Sequence, residues 1–158
     1  MSFAKVNLPL LFCDNMVLQQ NAEANFWGKA NPFEKVSVLP SWQKKTYSVV
    51  ADQTGNWQLK IKTFNASFEK QTISIVGENK IILSNVLIGE VWFSSGQSNI
   101  ELPMRRVSNA EKEIKEATYP NIRLFNVKKK NLTNQKPKFQ LVLNGWNVLQ
   151  KVSKNFQQ

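Results

Sequence analysis

The residues best suited to chemistry lie in Gly96-Gln97-Ser98-Asn99, directly after the run Val91-Trp92-Phe93-Ser94-Ser95. A serine just past the carboxyl end of a strand, on a tight turn that Gly96 permits, is placed as a candidate nucleophile. Its own backbone N–H would then face the developing oxyanion. The hydroxyl is a poor nucleophile at neutral pH and needs a general base, normally a histidine, to take its proton. The 158-residue chain contains no histidine. The block also departs from the Gly-x-Ser-x-Gly elbow of α/β-hydrolases, because Ile100 stands where the second glycine belongs. Taken alone, a glycine and a serine after a strand signal first a turn serine bonded to nearby backbone. Ser94 and Ser95 are poorer nucleophile candidates, since they still belong to the apolar run.

Other chemistries find less support. The single cysteine, Cys13, excludes an internal disulfide, and without histidine or a second cysteine no metal site is expected. A small core residue is the expected role of Cys13. The formal charge is +10, with 8 Lys/Arg against 6 Asp/Glu over residues 1–79 and 13 against 5 over residues 80–158. The basic residues are scattered apart from Lys128–Lys130, and no aromatic or zinc pattern of a nucleic-acid binder accompanies them. A solvated face is the expected role of that charge, and no nucleic-acid partner is expected. No stretch approaches the ~18 apolar residues of a membrane span, so no membrane partner is expected. The N-terminus has too short an apolar run for a signal peptide, and the compartment stays open.

Two kinds of pattern position these residues. The segments Asn25–Ala30, Glu34–Trp42, Lys45–Asp52, Gly55–Phe64 and Gln71–Gly77 are short and rich in β-branched and aromatic residues. Turn signals at Asn31-Pro32, Asp52–Gly55 and Gly77–Asn79 separate them. In Trp57–Lys62, Trp57, Leu59 and Ile61 alternate with Gln58, Lys60 and Lys62, the mark of a half-buried strand. Strands at this spacing predict a β-sandwich, jelly-roll or Ig-like, over residues 1–85. From Asn85 the pattern changes. Asn85–Ser95 reads as a strand covered on both faces, and Ser108–Glu111 has the form of a capping box opening a helix that Tyr119-Pro120 ends. Asn121–Val127 reads as a second strand, so residues 86–158 are expected to hold the first βαβ unit of a truncated α/β domain.

Several phrases recur together. "DNMVLQ" (Asp14–Gln19), "WGKA" (Trp27–Ala30), "DQTGNW" (Asp52–Trp57) and "GEVWFSSGQSNI" (Gly89–Ile100) resemble, in order, the sialate O-acetylesterase family. The likeness runs from Leu8 to about Pro103 and more weakly onward. It implies a serine esterase that removes O-acetyl groups from sialic acid or related carbohydrates, without a cofactor and with an acetylated carbohydrate as substrate. It also implies that residues 86–158 begin an SGNH-hydrolase domain of flavodoxin-like α/β type, and that full-length relatives are periplasmic or secreted. On this resemblance Ser98 is the nucleophile and a backbone oxyanion donor, and Gly96, Gln97 and Asn99 shape its turn. Ile100 replaces the usual Met. Glu101 matches a commonly acidic neighbour without a derived role. The family's later oxyanion donors and its Asp-x-x-His pair have no counterpart, so no general base is found and the chain by itself is expected to be inactive.

The remaining features have plainer readings. Asp14 and Asn15 are expected to lock the N-terminal segment, Trp57 to lie in the core, and Trp92 to pack beside its strand. Trp27 and Trp42 are core residues in a small sandwich, or sugar-stacking platforms if exposed. The competing reading of the whole chain is a non-catalytic carbohydrate-binding or interaction module. Oligomeric state stays open.

Overall fold

The computed structural model describes residues 5–94 and 103–125. The chain divides into two compact units between Val91 and Trp92. The first is β-rich. Its strands are β1 (Val17–Gln19), β2 (Glu23–Lys29), β3 (Lys35–Pro40), β4 (Tyr47–Val50), β5 (Asn56–Lys62), β6 (Ser67–Val76) and β7 (Lys80–Gly89). Five form a mixed sheet in the order β1-β7-β6-β3-β4, and β2 pairs antiparallel with β5. Among the described strands only β1 and β7 run parallel.

Both sheets feed one core. Phe26 of β2 and Trp57 and Ile61 of β5 are buried together with Val36, Val38, Ile73, Ile75, Leu83, Val86 and Ile88 of the larger sheet. Each such side chain contributes about 1.5–3 kcal/mol on burial. The alternation read over Trp57–Lys62 is the alternation observed, with Trp57 and Ile61 inside and the lysines out. Phe12, from the N-terminal segment, stacks on Phe26 at 4.6 Å and meets the edge of Trp27 at 4.7 Å. Cys13 packs half-buried against this core, and burial, then the Asp14 charge, pushes its thiol pKa up.

Two turns explain why particular residues stand where they do. In the β4–β5 turn, Asp52 Oδ1 accepts hydrogen bonds from the backbone N–H groups of Thr54 (2.8 Å) and Asn56 (2.9 Å) and from the Thr54 hydroxyl (2.7 Å). Gly55 follows in the left-handed region at φ +77°, where a Cβ would lie 2.3 Å from the carbonyl oxygen of Ala30. Its carbonyl accepts from Ala30 N–H at 2.8 Å. Across the same strand pair Gly28 faces Trp57, and a Cβ on Gly28 would come within 2.9 Å of the indole. "WGKA" and "DQTGNW" are therefore two halves of one interlock, each supplying a glycine where the other needs room.

The second feature is a bulge. Ile73 pairs with Leu83 but Gln71 with Val86, so β7 advances three residues while β6 advances two. Asn85 takes up the extra residue at φ 55°, as a bulge requires. The inward phase shifts there, from Ile81 and Leu83 to Val86 and Ile88.

Several expectations are corrected here. Asn85–Gly89 does not open an α/β domain; it is the second half of β7, flanked by β6 and β1. Residues 90–94 have no regular structure, and Trp92 is 87% exposed rather than packed beside a strand. In the second unit a 3-10 turn (Met104–Arg106) precedes α1 (Ala110–Glu116). Its N-cap is Asn109, in the left-handed region and without a side-chain cap bond, so the Ser108 capping box does not form. Residues 121–125 are not a strand; Asn126 and Val127 lie outside the described residues.

Asp52 carries the clearest pH signature. The Thr54 hydroxyl, the Asn56 amide and further turn donors pull its carboxyl pKa from an ordinary 3.8 down to about 2. Because the folded value is depressed, its contribution to stability is present above pH ~4 and fades as the pH falls toward 2. Urea unfolding across that window will show a loss of stability that Asp52→Asn flattens. Gly55→Ala will lower stability at neutral pH by at least ~1 kcal/mol, since alanine at positive φ is strained.

Candidate active-site segment and its support

Ser98, Gly96, Gln97 and Asn99 lie outside the described residues, as does Glu101. The segment that leads to them is described as far as Ser94, and its support is built from the residues before it. β7 ends at Gly89, and the chain continues through Glu90 and Val91. Gln20 N–H donates to the Gly89 carbonyl at 2.8 Å, continuing the parallel pairing by one residue. Gln19 Oε1 then accepts from Val91 N–H at 2.8 Å, while its Nε2 donates to Glu90 Oε2 at 3.1 Å. Gln20 Nε2 donates to the other carboxylate oxygen of Glu90. The Gln20 Oε1 accepts from Ala66 N–H at 2.8 Å, tying the clamp to the start of β6.

Glu90 is thus held by two neutral amides, one on each oxygen. Hydrogen bonds from Gln20 and then Gln19 favour the carboxylate and lower its pKa from the ordinary 4.5. Held by both amides, Glu90 anchors the exit of β7.

The same N-terminal segment fills the bulge of β7. Asp14 Oδ1 accepts from Ser84 N–H at 2.7 Å, and Asn15 N–H donates to the Ser84 carbonyl at 2.9 Å. The Asn85 side-chain amide donates to Asn15 Oδ1. Asn15 is itself at φ 63°, so two asparagines in the left-handed region meet face to face. Leu87 N–H donates to the Met16 carbonyl at 3.1 Å. Asp14 and Asn15 therefore lock the segment in place, as their sequence context suggests.

Sequence reasoning did not assign Gln19, Gln20 and Glu90. The signal was present in the paired glutamines after "DNMVL" and in the Gly-Glu before the serine block, but the two stretches are about 70 residues apart. Among the described residues no group of three His, Cys, Asp or Glu side chains could hold a metal. No helix there is long and apolar enough to cross a membrane.

No family model matches the chain. Mouse sialate O-acetylesterase is 30% identical to it over 127 residues, 73% of this chain and 24% of the mouse protein. The human enzyme of the same name is 30% identical over 126 residues, 72% of this chain and 24% of its own length. The chain belongs to the sialate O-acetylesterase family. It spans about a quarter of the length of these relatives. A crystal structure of a carbohydrate acetylesterase from Xanthomonas citri superposes with a TM-score of 0.65 at 29% identity, covering 71% of this chain and 25% of that one.

The clamp yields a direct expectation for this family member. Gln19→Ala removes the acceptor of Val91 N–H and one donor to Glu90. Native-state hydrogen exchange at the Val91 amide will then speed up on the order of tenfold, the loss of roughly one hydrogen bond, while core amides of β5 and β6 stay protected. Unchanged exchange at Val91 would show that the clamp does not hold the segment.

Proposed function

We propose that the chain is the N-terminal part of a serine esterase that removes O-acetyl groups from carbohydrates, sialic acid among them. The observation that carries this reading is the family relationship together with the Gly96-Gln97-Ser98-Asn99 block, which follows the clamped Glu90–Val91 segment. On this reading residues 1–91 form a β-sandwich, and the chain beyond Val91 begins the SGNH-type α/β domain.

The chemistry is acyl transfer. Ser98 Oγ attacks the acetyl carbonyl carbon, and its proton passes to a general base. The tetrahedral oxyanion is met by the Ser98 backbone N–H, with Gly96, Gln97 and Asn99 shaping the turn that aims it. The sugar hydroxyl leaves with a proton, and an acetyl-serine remains. Water attacks that ester and releases acetate, restoring Ser98. The usual partner for the proton transfer, a histidine, is not among the 158 residues. On this reading the base is supplied by a part of the working enzyme that these residues do not provide, and the cycle uses no metal or organic cofactor.

The test compares the 158-residue chain with its Ser98→Ala variant on 9-O-acetyl-N-acetylneuraminic acid, reading acetate release. The two will match each other and the buffer rate. Turnover clearly above buffer that Ser98→Ala abolishes would show that a base exists within the chain and overturn this assignment of the proton path.

A further inference from the structure

A cleft of about 300 Å³ opens on the first unit, lined by Ser41, Trp42, Phe64, Glu69 and Gln71. Its walls are held in place by hydrogen bonds. The Trp42 indole N–H donates to the Lys62 carbonyl at 3.0 Å, which fixes the ring plane, and Phe64 packs against it with ring centroids 6.0 Å apart. Gln43 donates to the same carbonyl at 3.1 Å and accepts from the Tyr47 hydroxyl at 2.6 Å, bracing the loop that carries Trp42.

The polar side is equally defined. Ser41 Oγ accepts from Thr72 N–H at 2.9 Å, so its own proton goes to Gln71 Oε1, 2.7 Å away. That bond fixes the amide orientation and leaves Gln71 Nε2 as the free end. Gln71 is only 6% exposed, yet its Nε2 donates to no residue among those described and stays open to the cleft, free to donate to an occupant. Glu69, two residues earlier on the same face of β6, is exposed and has no ion-pair partner among the described residues.

We propose that this cleft is a binding site for a neutral pyranose, separate from the esterase chemistry. An aromatic wall suits the apolar C–H face of a sugar ring. Gln71 Nε2 donates to one ring hydroxyl, and the Glu69 carboxylate accepts from one or two more, bonds that are stronger for the charge. The unpaired carboxylate disfavours an anionic sugar, so the occupant is an uncharged residue of a glycan and not sialic acid itself. A site of one aromatic pair and two polar groups predicts a weak Kd, on the order of 1 mM.

The test is a ¹⁵N–¹H titration of the full 158-residue chain with lactose, cellobiose and chitobiose, to roughly 20 mM, well above that Kd. The Trp42 indole resonance will shift saturably with at least one of the three. Glu69→Gln, an isosteric change at an exposed position, will weaken that binding about tenfold, while dispersed core amides show an intact fold. Two results overturn the proposal: no shift at Trp42 with any of the three sugars, or equal binding by Glu69→Gln. Neither depends on Ser98, so the esterase assignment stands or falls separately.

Discussion

The rest of the first unit depends on how the bulge in β7 is filled. A strand that carries one extra residue leaves backbone groups without ladder partners and turns its side chains over midway. Here the extra residue is Asn85, and the groups around it are answered by Asp14 and Asn15 from the opposite end of the unit. Because that segment is docked there, the chain continues as β1 alongside the second half of β7, in parallel. The same docking brings Phe12 onto Phe26 and carries Gln19 and Gln20 to Glu90. One polar contact thus sets a strand order, a core contact and the support of the segment leading to the serine block.

Seen this way, the phrases that mark the family are pairs of complementary parts. "DNMVLQ" fits the bulge and exit of β7. "WGKA" and "DQTGNW" fit each other, through Gly28 beneath Trp57 and Gly55 against Ala30. None of these residues needs to touch a substrate to matter. Their contribution is to hold the β7 exit while chemistry is assigned to the block beyond it.

Much of this is legible in the sequence, and the failures have physical causes. β5 is plain because one face is buried and the other wet, so Trp57, Leu59 and Ile61 alternate without interruption. β7 misleads because Asn85 shifts the inward phase by one residue, turning two alternating halves into an apolar run that imitates a parallel strand of a separate domain. β1 is only three residues long and shows no period. Ser108 looks like a cap, yet the helix starts from Asn109, whose left-handed backbone begins it one residue later. For the site, the serine block is conspicuous as wording. The Gln19–Glu90 clamp and the Ser41–Gln71 pair join residues far apart in the chain, and only the folded sheet brings them together.

The docking of the N-terminal segment on the bulge is most directly tested by a double-mutant cycle at Asn15 and Asn85. Glycine is the replacement at both sites, because it accepts their positive φ while removing the side-chain amides that meet across the bulge. Chemical unfolding of the four proteins is predicted to give a coupling of about 1 kcal/mol between the two positions. Strictly additive losses would show that the two asparagines act independently, and would contradict the bulge contact as the constraint that orders the unit.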